Sequence, residues 1–233
     1  LKFSLRSIAK NGRNVGRVFL ITETLPEWCN TDTVNHIYYE SRKDVYKQND
    51  MIMAWLTAIK RKEIAGIFLN ADDDYFYIKE TDFQNYPLYL KGVLPTTTVG
   101  KQDMGGENYV RSLINTRAIL QSANLNVMNY EQHCCSYVVP ELITQYQHVF
   151  ESAYLLEKGA TFNSIMGNII DQHLTNIKIV KRKDNKIKGC YGIVDLKKQI
   201  GDTECFSITD EAMNNGVRDV LNFMFSEKCK YEK

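Results

Sequence analysis

Apolar positions recur with two periods along the chain. Leu1, Leu5 and Ile8 fall at helical spacing and Gly12 supplies a stop, which predicts a first helix. Residues 17–22 alternate weakly and predict a strand. Residues 34–39, apolar and aromatic, predict a second strand. The turn between them carries Pro26 and Trp28, and the Trp reads as a packing residue. Ser41-x-x-Asp44 is a capping-box-like start, and Val45, Ile52, Trp55 and Ile59 then mark one face of a helix. Residues 65–69 form a continuous apolar run of buried-strand length. The run ends in Asp72-Asp73-Asp74, and Tyr75-Phe76 opens a further short strand.

Beyond that point short β-prone stretches come first and helical spacing returns later. Residues 81–89 read as loop and edge strand, with Pro87 limiting pairing. Residues 93–99 are Thr-rich and β-prone, and residues 100–106 have the composition of a lid loop. Val110, Leu113, Ile114 and Ala118 predict a helix over 108–122. A second is expected from Pro140 through residue 150, extending toward 159. Met213, Val217, Val220, Leu221 and Met224 form the stripe of a last helix, with Asp210 as its expected cap. The strand–helix alternation through residue 70 predicts one α/β domain over residues 1–233 with a mostly parallel central sheet.

The triplet Asp72-Asp73-Asp74 would then sit at the carboxyl end of a strand, the edge where ligands bind in open α/β sheets. Three adjacent carboxylates repel one another. A divalent cation such as Mg²⁺ or Mn²⁺, which prefers hard oxygen ligands, would compensate them. An acidic turn facing water is the competing reading.

Composition narrows the alternatives. The chain has 233 residues, 44% of them hydrophobic, and a formal net charge of +1, so no global charge argues for nucleic acid. Six cysteines include no CxxC pair, which speaks against a zinc site and for reduced thiols in the cytoplasm. No run approaches the roughly 20 apolar residues of a membrane span, and no signal-peptide pattern opens the chain. The exception to the even charge is residues 178–188, with six basic residues against one acid. A solvated hairpin and a phosphate-contacting strip are both open readings of it.

An apolar strand running into Asp-x-Asp resembles the signature of GT-A type glycosyltransferases, which hold a metal and a nucleotide-sugar diphosphate there. Arg6-Ser7-Ile8, the strand ending in Thr22, and Pro26-Glu27-Trp28 resemble the corresponding segments of Stealth sugar-phosphotransferases. Asn115-Thr116, Asn129-Tyr130-Glu131-x-His133, Asn176-Ile177-Lys178-Ile179 and Lys230-Tyr231-Glu232 are similar to small phage-encoded glycosyltransferases. The resemblance spans most of the chain. It implies a GT-A (Rossmann-like) fold whose first strand is lacking in this sequence, and a metal-dependent transfer from a nucleotide-diphosphate sugar, a UDP-sugar first among them. In a phage setting it implies the host cytoplasm, with hydroxymethylated DNA or a surface glycan as acceptor.

On that resemblance Asp72 and Asp74 are the metal ligands, with Mn²⁺ or Mg²⁺ as cofactor, and Asp73 orients the sugar or ribose. Arg6, Asn49, Asp50, Lys101 and Arg111 are the remaining nucleotide-sugar contacts. Glu131 and His133 are two residues apart, so a strand would put both on one face. Glu131 is then the candidate base, and His133 its orienter or a third metal ligand. The polar stretch 161–168 is a candidate acceptor lining, with Asp171 and His173 as weaker ones. A sugar-1-phosphate transferase and a non-catalytic carbohydrate- or DNA-binding module are the competing functions.

Overall fold

The protein is described here by a computed structural model covering residues 1–61, 64–98, 106–182, 185–189 and 193–233. Helix α1 (Lys2–Asn11) buries Ser4, Leu5 and Ser7 and stops at Gly12. A Cβ at Gly12 would stand 2.5 Å from the Ile8 carbonyl oxygen, so the stop has a packing cause. Strand β1 (Gly12–Arg13) follows, then β2 (Val18–Thr22) and β3 (Val34–Tyr38), which pair in parallel with Val18 opposite Val34. Helix α2 (Lys47–Lys60) buries Ile52, Trp55 and Leu56, the expected face. Strand β4 (Phe68–Asn70) then delivers the aspartates, and β5 (Tyr75–Tyr77) begins directly after them. The run is only half-buried, and Ile67 is exposed.

Short strands β6 (Thr81–Asp82), β7 (Leu88–Leu90) and β8 (Gly92–Val93) precede helix α3 (Glu107–Ser122). Next come β9 (Met128–Asn129), β10 (Ser136–Val138), α4 (Pro140–Gln145) and α5 (Gln147–Leu155). Helix α6 (Phe162–His173) is followed by β11 (Ile179–Lys181), β12 (Lys186–Ile187), α7 (Ile193–Ile200) and β13 (Cys205–Ile208). A 3-10 turn over Asp210–Ala212 leads to α8 (Asn215–Met224). The side chain of Asn214, not Asp210, caps α8 by accepting from Val217 N.

The architecture is α/β, but its strands form several small sheets among the described residues and not the expected parallel central sheet. Strand β4 pairs antiparallel with β10, setting Asn70 opposite Ser136. A three-stranded sheet has β13 in the middle, parallel to β12 and antiparallel to β5. The link between β2 and β4 is side-chain packing: Phe19 meets Phe68 edge-on at 6.3 Å. The basic run is not a hairpin, because β11 pairs with β7 while β12 pairs with β13.

Helix α6 is the central element. Every residue from Phe162 to Ile170 is buried. Trp55 of α2 stacks on Phe162 at 5.6 Å, and Phe150 of α5 packs on the same ring, tilted, also at 5.6 Å. A second core, with Phe76, Ile187, Phe206 and Ile208 on one side and Leu196, Val217 and Leu221 on the other, joins the three-stranded sheet to α7 and α8. A third, with Leu5, Cys29, Val34 and Tyr231, fastens α1 and β3 to the end of the chain. Among the described residues no helix is long and apolar enough to cross a membrane.

Candidate functional site

The site is built where segment 128–136 crosses the end of β4. Helix α6 holds that segment through its own polar side chains. Asn168 accepts from Met128 N (3.0 Å) and donates to Met128 O (2.8 Å), as a strand would. Ser164 Oγ accepts from Tyr130 N at 3.1 Å, and Asn163 Oδ1 accepts from Ser136 Oγ at 2.7 Å. The stretch 161–168, expected to line an acceptor pocket, is therefore a buried brace. Residues 130–135 have no regular structure, so the strand alternation expected of Glu131 and His133 does not occur.

The two side chains part accordingly. Glu131 turns inward, is 7% exposed, and accepts from Ser164 N at 2.8 Å in the first turn of α6. It satisfies an otherwise orphaned helix amide and faces the positive end of the helix dipole. Burial nevertheless pushes its pKa up. It is a helix cap, not an open base. His133 is instead partly exposed, and it lies close enough to Asp72 and Asp74 for its charge to lower the pKa of both.

Asp72 and Asp74 differ from ordinary surface carboxylates. Asp72 is open to solvent as a residue, yet protein atoms crowd its carboxylate, and this burial raises its pKa. Its Oδ2 accepts from the phenol of Tyr75 at 2.9 Å. Asp74, half-buried, is pushed up to about 6, first by burial and then by the charge of Asp72. Lys186 of β12 draws both values back down. Asp73 points outward, 74% exposed, with one carboxylate oxygen 3.6 Å from the Leu1 nitrogen. Among the described residues no three His, Cys, Asp or Glu side chains gather into a metal cage. His133 therefore stands beside the carboxylate pair without completing a three-ligand set. Two carboxylates remain the protein share that Mg²⁺ commonly takes, with waters and substrate phosphates supplying the rest.

The other expected contacts belong to the scaffold. Arg6 forks onto Glu232 (2.7 and 2.8 Å) and also donates to the carbonyl oxygens of Phe225 and Ser226. Asn49 donates to the carbonyl oxygens of Tyr154 and Leu156, tying α2 to the end of α5. Asp50 accepts from Tyr39 Oη, Ser41 Oγ and Arg42 N, which fixes the loop before α2. Arg111 pairs with Glu107 one helical turn away (2.6 Å) and lines a cleft of about 370 Å³ with Thr98, Ile114 and Lys158. A second cleft, of about 500 Å³, is lined by Arg17, Phe19, Leu25 and His36 among others. Neither cleft includes an aspartate of the turn. Lys101 and the core of the expected lid, residues 99–105, lie outside the described residues.

No protein-family model matches the chain, and no curated protein matches it. The site thus rests on its own chemistry. The residue that sequence reasoning passed over is Lys186, submerged in the basic run. Its neighbours in that run go elsewhere. Lys178 and Lys181 are exposed, and the guanidinium of Arg182 lies 4.7 Å from the centre of the Tyr89 ring and donates to Cys205 O. Cys134, Cys135 and Cys205 are buried behind the site, and Tyr77 Oη donates to Cys135 Sγ.

Proposed function

We propose that the chain is a metal-dependent glycosyltransferase of GT-A type that moves a sugar from a nucleotide-diphosphate sugar to an acceptor hydroxyl. One observation carries this reading: Asp72 and Asp74 stand together at the carboxyl end of β4 with raised proton affinity, beside His133 and Lys186. Carboxylates that repel each other in a partly dehydrated position favour a cation between them. In this reading Asp72 and Asp74 hold Mn²⁺ or Mg²⁺, which when bound would neutralise charge on the diphosphate leaving group. Tyr75 fixes the orientation of Asp72 through its hydrogen bond. His133 takes the proton of the acceptor hydroxyl as its oxygen bonds to the anomeric carbon and the sugar–phosphate bond breaks. The diphosphate departs with the bonding electrons.

The acceptor class follows less from charge than the sequence suggested. Among the described basic residues of 178–188 there is no single strip, since Arg182 packs on Tyr89 while the charge of Lys186 acts on Asp72 and Asp74. A glycan hydroxyl and hydroxymethylated DNA are both substrates to offer. The test is a screen of nucleotide sugars with Mn²⁺ or Mg²⁺, reading nucleoside diphosphate release. Release that is lost in Asp72→Ala and Asp74→Ala supports the reading, and no release from any donor overturns it. A phosphate bridge in the product mass would instead identify transfer of sugar-1-phosphate.

A further inference from the structure

The larger of the two clefts shares no residue with the aspartate turn, yet its polar side chains are tied in place. It has a volume of about 500 Å³ beside β2 and β3, within the range of small-molecule sites. Its apolar wall is Phe19, Leu25 and Val34, and its charged and polar groups include Arg17, Asn35 and His36.

Each of these three polar side chains is held, with bonding capacity left over. The Arg17 guanidinium lies over the Phe19 ring, 5.3 Å from its centre, and Phe19 is itself met edge-on by Phe68. Arg17 is exposed, and among the described residues no carboxylate comes within 4.0 Å of its nitrogens. The exposed acids of the adjoining loop, Glu23, Glu27 and Asp32, do not line the cleft. Asn35 Nδ2 donates to Val18 O at 3.1 Å, so the remaining end of its amide, Oδ1, is an acceptor. His36 Nε2 lies 2.8 Å from Thr22 O. A carbonyl oxygen can only accept, so Nε2 carries the hydrogen and Nδ1 of the neutral ring is an acceptor too. Among the described residues β3 pairs only with β2, and both side-chain bonds run back to β2, which orders two polar groups on an exposed edge strand.

These groups select a ligand by elimination. An arginine without a carboxylate partner suits a carboxylate or a phosphate, whose oxygens fit the guanidinium fork. The two acceptors cannot serve that anion. They need donors, which hydroxyl groups on a carbon skeleton supply. The apolar wall covers the C–H groups of such a skeleton. A bare anion would leave both acceptors unused, and a purely apolar ligand would leave all three polar groups unmatched.

We propose that this cleft binds a small polyhydroxylated organic anion, with its acidic group on Arg17 and its hydroxyls on Asn35 and His36. Such a ligand lies beyond the transferase reading and does not depend on it.

Calorimetric titration of the whole chain tests this with two probes, D-gluconate and D-glucose 6-phosphate, which differ in the acidic group. Wild type is expected to bind at least one of them. Arg17→Gln should weaken that binding about 10-fold or more, and Asn35→Ala about 3- to 10-fold. Arg13→Gln is the control, because this exposed arginine pairs with Glu80 and should match wild type. Acetate, a charge without hydroxyls, and D-glucose, hydroxyls without a charge, should each bind about 10-fold or more weakly than the preferred probe. Thermal melts on each variant confirm that the folded protein is being titrated. Binding of neither probe by wild type overturns the proposal, as does binding that Arg17→Gln leaves unchanged or that acetate equals. The aspartate turn is separated by Asp74→Ala, in which probe binding should persist. Binding lost there but kept in Arg17→Gln would place the anion at the turn and empty the cleft of its role.

Discussion

The guanidinium of Arg6 grips the carboxylate of Glu232 with two parallel bonds, Nε to Oε1 at 2.7 Å and Nη2 to Oε2 at 2.8 Å. The pair joins the first helix to the end of the chain. The Glu232 side chain is only 2% exposed, and the Arg6 bonds hold its pKa at about 2. A carboxylate depressed on folding adds stability that is fully present above its ordinary pKa near 4.3 and is lost as pH falls toward the folded value. Glu232→Gln should therefore cost about 2–3 kcal/mol at pH 7. Its deficit should shrink between about pH 5 and pH 2. Arg6→Lys should recover only part of the bond, since an ammonium cannot make the paired contact. Denaturant unfolding across pH measures this. An unchanged midpoint for Arg6→Lys with a raised donor KM would return Arg6 to the diphosphate.

Glu131 separates a structural from a catalytic carboxylate. Because it caps α6 from a buried position where burial already favours its neutral form, the neutral isostere should be tolerated. Glu131→Gln should stay within about 1 kcal/mol of wild type. Glu131→Ala, which leaves the Ser164 amide without an acceptor, should lose about 2 kcal/mol. Both should keep turnover per folded molecule. A loss of about 10²-fold in the Gln variant would restore Glu131 as the general base.

Local signals in the sequence located α1, α2, α3, α8, β2, β3 and the aspartate turn, because each depends on periodicity or a run within one segment. What escaped is pairing across distance. The apolar run 65–69 reads the same whether its partner is parallel or antiparallel, and its partner β10 lies beyond residue 130. Arg6 has no local mark of a bond to Glu232, 226 residues away. Glu131 and His133 shared a face only if strand geometry held, and the bonds from α6 impose another path on that segment. Lys186 looked like one charge among six. Only the register of β12 against β13, and of β13 against β5, distinguishes it.

Gly167 is the point where that brace is tightest. A Cβ there would stand 2.4 Å from Cγ of the buried Tyr130 ring, and neither α6 nor the ring has room to retreat. Helix propensity alone would make Gly→Ala stabilising by up to about 1 kcal/mol. Overpacking should win, so Gly167→Ala is expected to lose about 1–3 kcal/mol. Pairing it with Tyr130→Leu should restore part of the loss. A melting temperature equal to or above that of wild type for Gly167→Ala would show that the contact can relax.

Asp74 should behave in the opposite sense to Glu232. Its pKa is raised to about 6 by burial and by Asp72. The folded state thus holds its proton more tightly than the unfolded chain does. The stability it contributes is full below the ordinary carboxylate pKa and is lost as pH rises through about 4 to 6. At pH 7 and without divalent cation, Asp74→Asn should be more stable than wild type by about 1 kcal/mol once solvent screening is allowed for, or 2–4 °C in melting temperature. At pH 4 the gap should close. Adding Mn²⁺ or Mg²⁺ with a nucleoside diphosphate should raise the wild-type melting temperature, since a ligand that binds only the folded state stabilises it. It should leave Asp74→Asn nearly unmoved. The variant that folds better should then be the one that turns over no donor, the relation expected where repelling carboxylates are kept for a cation. Equal melting of the two proteins at pH 7 would mean that Asp74 is solvated as an ordinary surface acid, and the cation would have to be sought elsewhere.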